Sequence, residues 1–336
     1  MNKPMKLKQV AGLLLKPIRH DTCFRLTTWK PSHFPTQLEI HSLETSWRTF
    51  LIHGIPAGVK IKTSTDGWQV DIFSTAKWTS SHTESLRQRL MVAYGLNENR
   101  TMFISMAKQH PVLSTLPILL HEMYSSCPEN LFELGILGIL LQNATVNRSR
   151  DMLAALLRLC GTLVEFDGVM LYSFFSPQSL VALGQERIRS EARVGYRDKS
   201  LYSVAEFFTE RDDLLSLPLE TADEIIIELL KIKGVGPYTA GIIASSVFRN
   251  PREYGLDVWN RKILSRRLTG TDDLLPDYLR NLIESEFAPY EGLAVEMLVE
   301  AEYLNQPVCP IYATDVEARH ASYTWPRPQH LQSVEF

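Results

Sequence analysis

The chain has 336 residues, 45% of them hydrophobic, and its 35 Lys and Arg against 38 Asp and Glu leave a formal net charge of −3. This is the composition of an ordinary soluble protein with room for two or three subdomains, and a net charge of that sign argues on its own against a nucleic-acid partner. Cys23, Cys127, Cys160 and Cys309 stand singly, without the paired spacing of zinc or redox sites, so neither a metal cluster nor a disulfide framework is expected and a reducing, intracellular setting fits.

At the N-terminus, MNKPMKLKQVAGLLLKP places basic residues before an apolar run too short for a secretory core and without a small-residue cleavage site. No other stretch is long and apolar enough to span a bilayer. The segments 24–29, 36–42, 46–52, 59–63 and 68–73 alternate polar and apolar residues, and Asp66-Gly67 supplies a hairpin turn between the last two. They predict a small antiparallel sheet domain with a flanking helix over 1–110. From TESLRQRLMVAYG onward the pattern is helical through LPILLHEMYSS, PENLFELGILGILLQ, TVNRSRDMLAALLRL and finally VEMLVEAEYL. The expected architecture is α+β, with a helical domain over 111–317 and a flexible tail at 318–336, where prolines and histidines lack periodicity.

One interruption in the helical part carries a specific meaning. In LLKIKGVGPYTAGIIA (229–244) a helix over 222–231 ends, Gly234 and Gly236 permit unusual backbone angles, and Pro237 occupies the first turn of a new helix, where its missing N–H costs nothing. The product is a helix-hairpin-helix over 222–248. Bare N–H groups at Gly236 and the following turn, with Lys233, Val235 and Thr239 beside them, form a phosphate site that reads no sequence. The carbonyls of Leu230, Ile232 and Val235, on the other side of the turn, are placed to hold a sodium or potassium ion that bridges to a neighbouring phosphate in a DNA complex. A plain helix turn that uses glycine for geometry is the alternative. Charge distribution adds to the case: residues 229–267 hold eight basic and two acidic side chains, whereas 271–302 hold nine acids and Arg280. Such a molecule has a basic face for a polyanion and an acidic back, or simply solvated helix faces of opposite sign.

KGVGPYTA followed by LDVWNRKILSRRL resembles the helix-hairpin-helix DNA glycosylase superfamily, whose signature is a Gly/Pro hairpin and then a catalytic aspartate. LGILLQNATVNRSRDMLAAL resembles its helix with duplex-probing residues, ARVGYRDKSLYSVAEF resembles the 8-oxoguanine branch, and the sheet ahead of the helices resembles that branch and the 3-methyladenine glycosylase II branch. The resemblance implies double-stranded DNA with a damaged base as partner, no membrane, and a monomer that works where the DNA is. It assigns Asp257 to stabilising the positive charge that builds on the sugar as the N-glycosidic bond breaks. An aspartate ahead of a helix is also an ordinary N-cap, and one carboxylate can do both. Gln142 and Asn143 are the residues expected to fill the hole left by a flipped base, or else they cap one helix before Thr145 starts the next. Arg261 and Lys262 are expected on DNA, and Phe132, Tyr196, Trp259 and Trp78 are aromatic candidates for the base pocket.

Two departures from the family refine the expectation. The position of the lyase lysine holds Tyr238, and a phenol forms no imine. The cysteine quartet of the iron-sulfur branches is missing, with Cys309 the one cysteine beyond Asp257. Together they predict a monofunctional, cluster-free glycosylase with no required cofactor, acting on alkylated bases, with an 8-oxoguanine-type enzyme and a non-catalytic DNA-binding repair protein as alternatives.

Overall fold

In the segment 67–74 the side chains of Trp68, Val70 and Ile72 are buried at every second position, the period of a strand with one covered face. The computed structural model describes residues 3–304 except His20, His33, Pro35, Leu43, Ala76, Glu129 and 216–221. Its strands are β1 (Met5–Lys6), β2 (Lys8–Leu15), β3 (Glu39–His41), β4 (Thr45–Ile52), β5 (Ile55–Ser64), β6 (Gly67–Ser74), β7 (Thr162–Phe166) and β8 (Val169–Ser173). The helices that matter for packing are α1 (Phe24–Thr28), α2 (Ser80–Ala93), α3 (Thr101–Gln109), α4 (Ile118–His121), α5 (Leu131–Leu141), α6 (Val146–Cys160), α7 (Pro177–Leu183), α8 (Gln185–Glu191), α9 (Asp198–Glu210), α10 (Ala222–Leu229), α11 (Pro237–Ser246), α12 (Val258–Thr269), α13 (Pro276–Phe287) and α14 (Glu291–Leu304). The fold is α+β, as the pattern predicts.

The antiparallel sheet runs in the order β2-β6-β5-β4-β3, and α2 covers its apolar face through Leu86, Leu90, Ala93 and Tyr94. The β5–β6 hairpin turns at the expected place, with Ser64 paired to Gly67. Three local expectations change. The segment expected as a strand at 24–29 is α1, because Phe24 packs edge-on against Trp68 while Leu26 enters a different core among the helices, which a strand in this sheet cannot do. The apolar run at the N-terminus is not idle but forms β2, paired with β6. Inside the helical region β7 and β8 make a hairpin around Asp167 and Gly168, both at positive φ, and β1 pairs parallel to β7.

The helices divide into two cores. One gathers α5 to α11, with Ile136, Ile139, Leu153, Phe208, Leu229 and Ile243 at its centre. The other joins α1 and α3 to α12, α13 and α14 through Leu26, Phe103, Leu264, Ile283 and Leu298. The boundary drawn at residue 110 is therefore crossed in both directions: α3 packs with the C-terminal helices, and β7–β8 return to the sheet side, where the Thr49 hydroxyl donates to the Tyr172 carbonyl at 2.6 Å. The tail at 318–336 lies outside the described residues, as does Cys309.

Within the first core α5 and α11 approach closely where Gly138 faces Thr239, and a Cβ on Gly138 would stand 2.6 Å from Thr239 Cγ2. Gly138→Ala should cost about 1–3 kcal/mol of stability, the range for overpacking. Chemical denaturation should show part of that loss recovered in the Gly138→Ala/Thr239→Ala double variant, and the two changes adding independently would contradict the contact.

Candidate active site

The last residue before α12 is Asp257, whose Oδ1 accepts from the Trp259 and Asn260 N–H groups at 2.9 and 2.7 Å. This is an N-cap. It leaves Oδ2 free of the helix, and there the Tyr238 hydroxyl donates at 3.3 Å. Tyr238 stands in the first turn of α11, so the second helix of the hairpin and α12 present their N-terminal side chains to each other. Gly255 lets the chain before Asp257 lie on the phenol, since a Cβ there would come within 2.9 Å of Tyr238 Cε2.

Burial raises the Asp257 carboxyl above the usual carboxylate range, and the bonds from Asn260, Trp259 and Tyr238 oppose that rise without cancelling it. Burial, followed by the neighbouring Asp257 charge, raises the Tyr238 phenol far above its ordinary value, so it stays neutral and donates. Both residues line a cavity of about 630 Å3 between the two helical cores. Its walls come from α5, α11, α12 and α14, and Phe34, Tyr254, Trp259 and Tyr303 join Tyr238 as its aromatic lining.

The other residues singled out from the sequence separate into three groups. A first group converges at one corner of the surface. The Gln142 side-chain amide donates to the Gly234 carbonyl at 2.7 Å, Arg197 donates to the Gln142 carbonyl, and Ser200 sits against Gly234. Asn143, exposed and at a φ of 47°, reaches the Tyr196 hydroxyl at 3.4 Å. The stretches around 142, 196 and 234 thus form one rim. Of the two residues expected to fill the hole left by a flipped base, Gln142 is half-buried and bonded to the hairpin, and Asn143 is the exposed one.

A second group is corrected by position. Phe132 is 2% exposed and packed among Phe174, Phe175 and Phe208, inside the first core and away from the cavity. Tyr196 is 61% exposed on the rim, with the Arg197 guanidinium over its ring, and Trp78 packs at the sheet end with its indole N–H on Thr83; neither lines the cavity. Thr239, expected on DNA, is buried against Gly138. Periodicity marks such side chains as helical or apolar but says nothing of which face meets a core.

The third group concerns charge. Arg252, Arg261, Arg266 and Arg267 are paired with Glu291, Asp273, Asp272 and Glu302, and Arg249 is turned inward onto Glu98. The basic stretch is largely neutralised by the acidic one that follows it, and Arg261 is held by Asp273 at 2.6 Å. Among the described residues Lys231, Lys233 and Lys262 make no ion pair, and two of them belong to the hairpin.

The hairpin's two glycines have different reasons to exist. Gly234 has a φ of 95° and its Cβ would stand 2.3 Å from Ser200 Oγ, so the fold itself demands glycine. Gly236 has an ordinary φ of −107° and open space before it, contrary to the expectation of an unusual angle. Val235 and Ile232 are buried anchors, and the Val235 N–H closes the turn on the Ile232 carbonyl at 3.0 Å. No group of three His, Cys, Asp or Glu suited to a metal occurs among the described residues, and none of their helices is long and apolar enough to cross a membrane.

No family model matches the chain. It is 22% identical over 233 residues to a probable N-glycosylase/DNA lyase of Methanothermobacter thermautotrophicus, a match covering 64% of this chain and 73% of that one. The structure is similar to the 3-methyladenine DNA-glycosylase of Archaeoglobus fulgidus, with a TM-score of 0.70 at 15% identity over 88% of this chain and 99% of the other. It is similar also to the 8-oxoguanine glycosylase/lyase of Clostridium acetobutylicum in its apo form, with a TM-score of 0.64 at 16% identity over 90% of this chain and 100% of that one. The fold is that of the helix-hairpin-helix DNA glycosylases.

The hydroxyl of Tyr238 has a measurable job in this geometry. It stabilises the ionised carboxylate, so Tyr238→Phe should raise the Asp257 pKa further. Activity that needs the carboxylate is present above that pKa and lost as pH falls through it, so the acid limb of the pH–rate profile should move to higher pH in the variant. An unmoved limb would mean that the 3.3 Å contact does not bear on the carboxylate.

Proposed function

We propose that the chain is a monofunctional DNA glycosylase that takes a damaged base into the cavity between its helical cores and hydrolyses the N-glycosidic bond. The observation that carries this reading is the pairing of Asp257 with a neutral Tyr238, instead of an amine, at the wall of that cavity. A base-sized ligand must be extruded from the duplex to reach it. As the bond to the base breaks, positive charge grows on the sugar, and the Asp257 carboxylate, already stripped of much of its water, stabilises it strongly in a low-dielectric setting. Tyr238 holds the free oxygen in place. Hairpin N–H groups at Gly236 and the unpaired Lys231 and Lys233 fasten the backbone, the carbonyls of Leu230, Ile232 and Val235 would hold a monovalent cation that supplies positive charge beside a phosphate, and Asn143 stands at the rim where the stack is opened.

Tyr238 in place of an amine supports hydrolysis without strand cleavage but does not bear on the choice of base. The preference for alkylated bases drawn from the sequence has no further support in the cavity wall, and a glycosylase/lyase among the relatives keeps strand cleavage as the second reading. Among the described residues Lys30 is the lysine in the wall, and Glu300 holds it at 3.6 Å.

Asp257→Asn should abolish base release from lesion duplexes while keeping duplex binding and a stability within about 0.5 kcal/mol of the wild type, because Asn caps a helix as well as Asp does. Borohydride should trap no wild-type protein on the duplex, and strands should break only after hot alkali. A covalent adduct that disappears in Lys30→Met would convert the assignment to a lyase.

Gly236→Ala should fold as the wild type does yet bind every duplex more weakly by a similar factor, since its Cβ enters only the space a phosphate would take. Gly234→Ala should instead lower the unfolding midpoint. Equal effects on folding from both would remove the case that Gly236 meets a backbone.

A further inference from the structure

Beyond Asp257 and Tyr238 the cavity is lined by buried and half-buried polar side chains that the hydrolysis above does not use. Lys30, Ser32, Ser126, Glu296 and Glu300 all line it. Glu300 is 2% exposed; its Oε2 accepts from the Ser32 N–H at 2.7 Å and its Oε1 from the Ser32 hydroxyl at 2.5 Å. Its lone pairs are not exhausted by these bonds. Lys30 Nζ stands 3.6 Å from Oε1, an ion pair longer than a hydrogen bond, so the ammonium keeps donors for another acceptor. Ser126, 6% exposed, has a hydroxyl with no partner. A buried polar atom left without a bond is costly unless something else supplies it.

The arrangement has a direction. Glu296, Glu300 and Tyr303 lie three and four residues apart, on one face of α14, and all border the cavity. Tyr303 borders the cavity with Tyr238 and contributes to the rise of its pKa, which places it toward the reaction end. Glu300 comes one helical turn before it, about 5 Å along the axis. A flat base whose glycosidic bond is at Asp257 and whose ring passes Tyr303 would meet Glu300, and Lys30 beside it, as the next polar groups on that face of the cavity.

The charges at this end balance. Lys30, Arg100 and Arg249 face Glu98, Glu296 and Glu300, with Arg100 on Glu98 at 2.7 Å and on Glu296 at 3.5 Å, and Arg249 on Glu98 at 3.2 Å. Such a network offers no net charge to a cationic base, but it offers an acceptor beside a donor. Buried ion pairs are weak contributors to stability and can often be exchanged for apolar residues without loss, so packing alone does not call for one at the end of a cavity.

Resting on the glycosylase reading, we propose that Glu300 and Lys30 select bases carrying a lactam edge: the ring N–H donates to Glu300 while the adjacent carbonyl accepts from Lys30. Guanine-derived and hypoxanthine-type bases have that edge. Adenine presents the reverse order, a bare ring nitrogen beside an amine, and would set nitrogen against carboxylate and amine against ammonium; 1,N6-ethenoadenine, with both nitrogens closed into an etheno ring, offers neither an N–H nor a carbonyl. Sites built around buried hydrogen bonds discriminate by far more than apolar pockets do. The pair thus acts on the choice of base, while Asp257 acts on the bond.

Base release should be measured on duplexes carrying 8-oxoguanine, hypoxanthine or 1,N6-ethenoadenine, together with inhibition of the reaction by free guanine and free adenine. The wild type should release at least one of the first two bases at least a hundredfold faster than the third, and guanine should inhibit at least tenfold more strongly than adenine. Glu300→Gln and Lys30→Met should each lose at least tenfold in kcat/KM on the lactam base and lose the preference for guanine, with abasic-duplex affinity within twofold of the wild type. The inhibition measurement needs no variant, so it decides the matter even where a broken ion pair impairs folding. Release of ethenoadenine at a comparable rate, or equal inhibition by the two free bases, would overturn the proposal and leave the glycosylase reading standing. Failure to release any base from a wider panel of lesions would overturn that reading, and this proposal with it.

Discussion

Everything at the candidate site depends on how one carboxylate is divided. Asp257 Oδ1 takes the two N–H groups that begin α12, and Oδ2 takes the Tyr238 hydroxyl and faces the cavity. The helix fixes where the carboxylate is, because an N-cap has a narrow range of positions relative to the first turn. Burial then makes its charge effective, at the cost of raising its pKa. A carboxylate on a loop could be as close to a sugar but would be held by little. Here the group proposed to stabilise charge is also the one that starts the helix, so the geometry of the site and the stability of α12 are secured by the same bonds.

The hairpin plays the matching part on the other side of the cleft. Its turn sets the entry of α11, and with it Tyr238, while Gly138 lets α11 settle against α5. Gln142, at the end of α5, is bonded to the Gly234 carbonyl, so the rim proposed to open a duplex is tied directly to the loop proposed to grip its backbone. This explains why the basic stretch around the hairpin is less cationic than it reads. Its arginines are engaged in joining α12 to the segments after it, leaving the unpaired lysines near the turn as the positive field. Weak, local attraction combined with backbone N–H groups suits the proposed contact with duplex, which reads no sequence.

What the sequence made legible were features set by local rules. The helix break at Gly234 and Pro237, the cap at Asp257, the cap at Thr145 and the β5–β6 turn all follow from the backbone preferences of a few neighbouring residues. The lining of the cavity did not, because it is assembled from 30–39, 98–100, 125–128 and α14, and no short-range pattern links those segments. Phe132 illustrates the difficulty: its helix is apolar on all sides, so its sequence cannot say that this ring joins the phenylalanine cluster while Leu134, Leu137 and Leu141 border the cavity. The strand expected at 24–29 failed for a related reason, since aromatic and β-branched residues favour strands only until tertiary contacts on two sides ask for a turn of helix. One signal could have been read further. Glu296, Glu300 and Tyr303 share a helix face, and acids on the inner side of an otherwise apolar helix are unusual enough to mark a polar cavity.

The location of the cavity between two cores has a consequence for how substitutions act. Each core closes on its own apolar side chains, one around Ile136 and Phe208 and the other around Leu264 and Leu298, so neither relies on the polar residues that face the gap. Polar groups at such a place are tolerated only when bonded to one another, and the chain from Lys30 through Glu300 to Ser32, and from Glu296 through Arg100 to Glu98 and Arg249, meets that condition nearly throughout. Among the described residues the exceptions in this wall are the Ser126 hydroxyl, Glu98 Oε1 and Arg249 Nε, each buried without a hydrogen-bond partner. Unsatisfied atoms in such a wall mark positions where a bound molecule can complete the bonding, and the Ser126 hydroxyl lies in the same wall as the groups proposed to read that molecule's edge.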